Sequence, residues 1–323
     1  MNGKSTSRVY LLITNILPLR THVFQPRLSR EMNKNLPSEL NFEIEAQNAD
    51  KCRQILKHSI EKGDLVVPYV RRATKRVIQM SFEEGKYITD PNSIDKVGLK
   101  KADVARIIST AFCEQMYRGG FVHCDPHEAN LLVRPNPQRK NQAQVVLLDH
   151  GLYRELGDEF RMHYSRLWRG IVNSNEQEIR RECEFLNAGK MYTLLTAMLT
   201  MRPWDDVVAN DIDRLNQTGT AGDGEMLKAY AKKYFSEIVV LLGRLPSNLL
   251  LLMKTNDCLR HLDRTLDVPI NSVIVVAKTV AEVILQDDLE KAKYSPRKIV
   301  IALFEYVNVM LKVATLSIFS LFM

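Results

Sequence analysis

Two short apolar runs separated by a polar turn, Leu131–Val133 and Val145–Leu148, constrain this chain more than any other feature. The residues between them are rich in Pro, Arg, Lys and Asn, which suits a hairpin turn better than a continuous helix. Pairing the runs antiparallel brings Asn130, just before the first, close to Asp149, just after the second. Asp125 lies five residues before Asn130, on the loop leading into the first strand. Upstream, Val104–Arg118 has helical periodicity and is closed by Gly119-Gly120, a helix stop signal. Two carboxylates and an amide therefore converge at one end of a hairpin. Hard oxygen donors of this kind suit Mg²⁺, which takes one or two carboxylates and leaves its other positions to phosphate and water.

The order of these residues is also that of phosphoryl transfer. A protein-kinase catalytic loop has an Asp, four residues and an Asn, followed by a hairpin and an Asp-x-Gly metal turn. On this pattern Asp125 takes or orients the acceptor's proton, and Asn130 and Asp149 hold metal that bridges the phosphates of ATP. Asp149 is followed by His150-Gly151 rather than Phe-Gly, so the match is to role more than to letter. Two plainer readings stand beside it. A strand-end Asp is often only a turn former, and His123, Cys124 and His127 would make a metal cluster. Against the cluster, neighbouring loop residues rarely point at one ion and no second ligand pair follows. His127 is expected to pack or hydrogen-bond within the loop.

Elsewhere, Glu39–Ser59 reads as an amphipathic helix, and Leu65–Val70 and Arg76–Phe82 as strands. Beyond Glu159 the pattern is helical, broken at Pro203, the Gly219–Gly224 run, Pro246 and Pro269. Strands early and helices late describe an α+β chain, and 323 residues suffice for one or two domains. Residues 1–30 hold five Lys and Arg and no acid, so they carry +5 of the net +7. The remaining 40 basic and 38 acidic residues nearly cancel, which argues against a nucleic-acid-binding body. The basic start reads either as an organelle transit segment or as a helix and connector of the domain. Five scattered cysteines, with no C-x-x-C pair, suggest unpaired thiols rather than a disulfide framework or zinc ribbon.

His123–Asn130, with the leucine-rich strand and Asp149-His150-Gly151-Leu152-Tyr153 that follow, resembles the UbiB/AarF-domain atypical kinases, whose loop is H-x-D-P-H-P-G-N. Lys34–Ala46 is similar to the family's K-N-L-P-x-E-L-D-F-x-x-E-A segment, and Leu249–Arg260 to its L-L-x-L-K-T-N-D-x-L-R helix. The resemblance covers roughly residues 31–268. It implies a protein-kinase-like two-lobe fold with a mainly helical large lobe, binding of ATP and Mg²⁺, and phosphotransferase or ATPase chemistry. It also implies a mitochondrial location and a link to lipid or coenzyme Q. By the resemblance Glu45 is the helix glutamate of an ion pair, and Met80 and Phe82 lie in the hinge that holds an adenine.

Several departures bear on activity. Pro-Gly of the loop is Glu128-Ala129 here, and the family's E-x-D motif reads Glu39-Leu40-Asn41. The family's K-x-G-Q helix, Ala-rich loop and strand-three Lys precede the K-N-L-P segment and have no counterpart in residues 1–33, where Lys4 lacks strand context. The expectation is a truncated small lobe over 1–85, a helical large lobe over 86–270, an extension over 271–323, and weak or absent phosphotransfer. Two other classes remain: a non-catalytic pseudokinase or truncated gene product, and a small-molecule phosphotransferase of the aminoglycoside or choline type. The end of the chain, Ile299–Met323, has 19 apolar residues of 25, about 37 Å as a helix and enough to cross a bilayer. Glu305 and Lys312 fall inside it, seven residues apart and on one face, which fits an in-plane membrane helix or a packed helix as well as a span.

Overall fold

The structure is a computed structural model that describes residues 41–89, 91–208, 232–267, 272–293 and 295–319. The charged first thirty residues, the K-N-L-P segment with Glu39 and the Gly219–Gly224 run lie outside the described residues. The chain forms two units. One comprises the described residues as far as Gln115, Phe121–Glu155 and the stretch from Leu251; the other comprises Met116–Gly120, Leu156–Leu250 and the residues from 272.

In the first unit, α1 (Phe42–Ile55) begins at Asn41, whose side chain accepts the Glu43 N–H at 3.0 Å, and a short α2 (Lys57–Glu61) follows. Capping by Asn satisfies one of the amides a helix start leaves open. The apolar run expected as one strand, Leu65–Val70, divides into β1 (Leu65–Val66) and β2 (Val70–Ala73). Pro68 between them has no N–H for a ladder, so the chain changes partner there. β2 pairs with β3 (Ile78–Met80), shorter than the Arg76–Phe82 expected, whereas β1 joins the main sheet.

That sheet also contains β4 (Lys86–Tyr87), β6 (Leu131–Pro135) and β7 (Ala143–Leu147), in the order β1-β7-β6-β4. β6 and β7 are the expected hairpin, in register Leu131↔Leu147, and β1 runs parallel to β7 with Leu65↔Val145. All five residues of β7 are buried, and its polar member Gln144 is satisfied by donating to Gly63 O at 2.8 Å. Between β4 and β6 come α3 (Pro91–Lys96), α4 (Lys101–Cys113) and β5 (Phe121–His123). α4 packs on β7 through a face that includes Val104, Ile108 and Phe112. The helix expected to run to Arg118 becomes π-helical over Glu114–Gly119. Buried Gln115 in this stretch accepts the His123 N–H at 2.9 Å. β5 pairs antiparallel with β8 (Tyr153–Glu155), matching His123 with Tyr153. This ladder anchors the start of the catalytic-type loop and the end of the Asp-His-Gly turn in one place.

The second unit is helical: α5 (Asp158–Val172), α6 (Glu176–Phe185), α7 (Tyr192–Thr200), α8 (Trp204–Val208) and α9 (Phe235–Arg244). After α10 (Ser247–Thr265), which begins here and continues into the first unit, come α11 (Ser272–Ala292) and α12 (Pro296–Phe319). α11 and α12 pack along their lengths, and Val172, Ala277, Ala281, Val309 and Val313 form a shared apolar core. Glu305 of α12, itself exposed, pairs with Arg169 of α5 at 2.6 Å.

Candidate active site

The loop that follows β5 is built from its own hydrogen bonds. The Cys124 N–H donates to Leu152 O at 3.0 Å, tying the loop to the Asp-His-Gly turn. His127 caps a single 3₁₀ turn, Glu128–Asn130, its Nδ1 accepting the Ala129 N–H at 3.2 Å. This is the within-loop bond expected of it. The turn delivers Asn130 to the base of β6, where its carbonyl accepts the Leu148 N–H at 2.9 Å.

The side chains of Asn130 and Asp149 meet across the hairpin end. Asn130 Nδ2 donates to Asp149 Oδ2 at 3.0 Å, and the Gly151 N–H donates to Asp149 Oδ1 at 2.8 Å. A Cβ at Gly151 would stand 3.3 Å from that same oxygen, so glycine keeps the turn close to the carboxylate. From α1, Asn48 Nδ2 donates to His150 O at 2.9 Å and holds the turn from the other side. Glu45, one helical turn earlier, faces Asp149. Burial raises its carboxyl above the usual range, the Asp149 charge raises it further, and a hydrogen bond from the His150 backbone offsets part of the rise.

A catalytic-type loop, a buried hairpin and an Asp-His-Gly turn braced by a helix glutamate thus occur together and in order. The matching family model is the ABC1 atypical kinase-like domain, over residues 5–183. The chain belongs to this family. The ABC1 match begins ahead of the K-N-L-P segment, so residues 5–33 fall within it as well. An ABC1 protein of Arabidopsis thaliana is 39% identical over 79% of this chain and 50% of its own length. The chicken AarF domain-containing protein kinase 1 is 37% identical over 74% of this chain and 45% of its own. The chain therefore spans about half the length of the curated relatives it matches. A solved structure titled as a complex of Rv3197 from Mycobacterium tuberculosis with erythromycin aligns with a TM-score of 0.49 and 16% identity. That alignment covers 82% of this chain and 64% of the other.

In this ABC1 domain the residue after Asp149 is a buried, hydrogen-bonded histidine. Burial and the neighbouring His123 push His150 down to about 4, so it is neutral at pH 7. Neutral imidazole accounts for both bonds: Nε2–H donates to Leu147 O at 3.2 Å, and Nδ1 accepts from the Tyr153 hydroxyl at 2.9 Å. Phe112, His123, Tyr153 and His150 stack in sequence beneath the loop. Burial lowers His123 too, and its Nδ1 lies 3.1 Å from Leu152 O. The histidines and buried Cys124 therefore support the loop rather than bind an ion. Among the described residues no three His, Cys, Asp or Glu are grouped as a metal cage.

The donor set that remains is one amide, the Asp149 carboxylate and the facing Glu45 carboxyl, all oxygen donors. It fits Mg²⁺ completed by phosphate and water, and a cation there would relieve the repulsion between Glu45 and Asp149.

Asp125 is placed by a residue that spacing does not reveal. Lys254 Nζ of α10 donates to Asp125 Oδ1 at 2.9 Å. Farther along α10, Thr265 Oγ1 donates to Glu128 Oε1 at 2.9 Å, and His261 Nε2 lies 3.1 Å from the same oxygen. The Glu128 that replaces the family's proline is thus an anchor between loop and helix. Lys254 belongs to the K-T-N-D stretch, so its signal lay in the family pattern, but a lysine 129 residues from Asp125 cannot be positioned by counting.

Met80 ends β3 in the two-stranded β2–β3 ladder, and Phe82 is 89% exposed. The strip after them is tied to the sheet by Arg134, which pairs with Glu83 at 3.0 Å and bonds Glu84 O at 3.2 Å. Gly85 is required there, because a Cβ would lie 2.8 Å from Leu132 Cβ.

Proposed function

We propose that this ABC1 chain binds ATP with Mg²⁺ and acts as a phosphotransferase or ATPase. The observation that carries the reading is the Asn130–Asp149 bond, with Glu45 facing Asp149 and Asp125 on the same loop. In this reading Asn130 and Asp149 hold the metal, and Asp125 orients the acceptor hydroxyl or water and receives its proton. Glu45 contributes negative charge from α1, and the strip around Met80 and Phe82 takes the adenine. Bound Mg²⁺ would supply charge neutralisation for the phosphates. Rate in such sites comes from positioning and electrostatics. The braced loop, the capped 3₁₀ turn and the stacked rings below it supply the first. The test is calorimetric titration of the full chain with Mg²⁺–ATP, together with phosphate release. Asp149→Ala should abolish both, and undiminished binding in that variant would sink the reading. Binding without turnover in the unaltered chain would favour the non-catalytic pseudokinase.

The second element of the proposal is a lipid surface as partner. Pro296–Ser317 of α12 is long and apolar enough to cross a membrane, with mean hydropathy 1.8 and 22% of its most apolar window buried. Glu305 is paired with Arg169, and Val300, Phe304, Val307 and Leu311 are exposed along one stripe. Arg297 and Lys298 are exposed at its start. An uncharged stripe with basic residues at one end matches a helix lying in the plane of an anionic bilayer. Cosedimentation with cardiolipin-containing vesicles tests it. Phe304→Asp should release the protein, and equal binding by that variant would count against the stripe. The family resemblance supports a mitochondrial location and a link to coenzyme Q, to be tested by organelle fractionation and lipid profiling.

A further inference from the structure

Lys254, His261 and Thr265 follow one another on α10 at intervals of seven and four residues, which places them on one face. All three side chains end on the loop from Asp125 to Asn130. His261 and Thr265 share a single oxygen of Glu128, an arrangement that only anchors. Lys254 is different. It ends on the carboxylate to which the proton-accepting role falls, at 2.9 Å from Oδ1, with that Asp125 side chain 48% exposed. A half-exposed aspartate has water available and needs no lysine for its own solvation. The ammonium, in turn, is kept charged: burial works against it, and Asp125 more than offsets that cost. An ammonium has three N–H groups, and the bond to Asp125 takes one of them.

We propose that Lys254 is the residue that receives the terminal phosphate of a bound nucleoside triphosphate while it holds Asp125 in place. The inference rests on the phosphotransfer reading and adds a ligand-binding residue to it. Asn130 and Asp149 mark the metal end of the site, and Asp125 marks the acceptor end of the same loop. The phosphoryl group in transit lies between these ends. In transfer the acceptor oxygen bonds to the terminal phosphorus, the bond from that phosphorus to the bridging oxygen breaks, and the diphosphate leaves. The acceptor's proton goes to Asp125. Lys254 is beside Asp125 with compact, rotatable donors suited to holding a carboxylate and a phosphate together. With Oδ1 of Asp125 taken by Lys254, Oδ2 is the oxygen that faces the acceptor.

The prediction separates triphosphate from diphosphate. Calorimetric titrations of the full chain with Mg²⁺–ATP and Mg²⁺–ADP are compared for the unaltered protein, Lys254→Met and Lys254→Arg, with thermal melts to verify folding. Lys254→Met should weaken ATP binding about tenfold or more and leave ADP within about twofold. Lys254→Arg should recover most of the loss. If Lys254→Met does not fold, Lys254→Gln serves the same comparison. Equal changes for the two nucleotides, or no change for either, would overturn the inference and leave the phosphotransfer reading standing. Failure of the unaltered chain to bind either nucleotide would overturn both, and the two failures are told apart by the unaltered protein alone.

Discussion

The molecule contains two clusters of charge that differ in how completely they are paired. In the helical unit Arg169 meets Glu178 and Glu305 at 2.6 Å each and Asp288 at 3.9 Å. Burial works against its charge, and these acids more than restore it. In the sheet-containing unit Asp149 faces another carboxylate, Glu45, and the only bonds its oxygens accept among the described residues come from Asn130 and Gly151. A cluster in which each acid meets an arginine holds helices together. A cluster of like charges left facing each other costs stability and is maintained where an external cation or ligand supplies the balance. The first is architecture, and the second is the candidate site.

Removing one member of each cluster tests this contrast. Asp149→Ala should have the largest effect, a loss of at least ~10³-fold in Mg²⁺-dependent ATP turnover, with only a small change in melting temperature because relief of the repulsion from Glu45 offsets the hydrogen bonds lost from Asn130 and Gly151. Phosphate release and differential scanning fluorimetry read the two quantities. Arg169→Met should do the reverse. It removes the 2.6 Å partner of buried Glu178, leaving Arg181 at 3.7 Å, and should cost about 3 kcal/mol in urea unfolding, while nucleotide affinity in the surviving fold stays the same.

Asp263 on α10 comes next. Burial raises its carboxyl to about 7, against lowering by Arg260 and Arg264. The unfolded chain ionises this group near 4 and the folded chain only near 7, so stability falls as pH rises through that window. Asp263→Asn should remove the fall, a gain on the order of 2 kcal/mol at pH 8, visible in unfolding curves taken from pH 4 to 8. The smallest effect belongs to Glu45→Gln. Glu45 is also raised, so the same sign applies, and stability should decline less above the ordinary glutamate range in the variant. Added Mg²⁺ should then stabilise it less than it stabilises the unaltered chain. A Glu45→Gln protein that melts lower without Mg²⁺ would contradict the repulsion that separates the two clusters.

How much of this was legible in the residues depends on the distance over which each feature is determined. The hairpin and the meeting of Asn130 with Asp149 follow from local pattern, because strand pairing across a short turn fixes register within a few residues. The capped start of α1 and the bond within the loop at His127 are local for the same reason. The strands over 65–82 were half legible: the β-branched residues were right, but Pro68 redirected the chain between two sheets. Glu305 and Lys312 were expected on one face of the last helix, yet the partner of Glu305 lies on α5, far earlier in the sequence.

The sequence by itself determined the α+β kinase-like class, the order of Asp125, Asn130 and Asp149, and the oxygen-donor character of the site. These depend on periodicity, turn chemistry and residue type, which act over a few positions. Tertiary structure alone decided that Lys254 grips Asp125, that Glu128 is an anchor rather than merely a lost proline, and that Glu45 faces Asp149. It also decided that the acid of α12 pairs with Arg169 and that its apolar stripe is exposed. Each of these joins residues distant in the chain, and such contacts are selected by the packing of whole helices and sheets, which no local interval encodes.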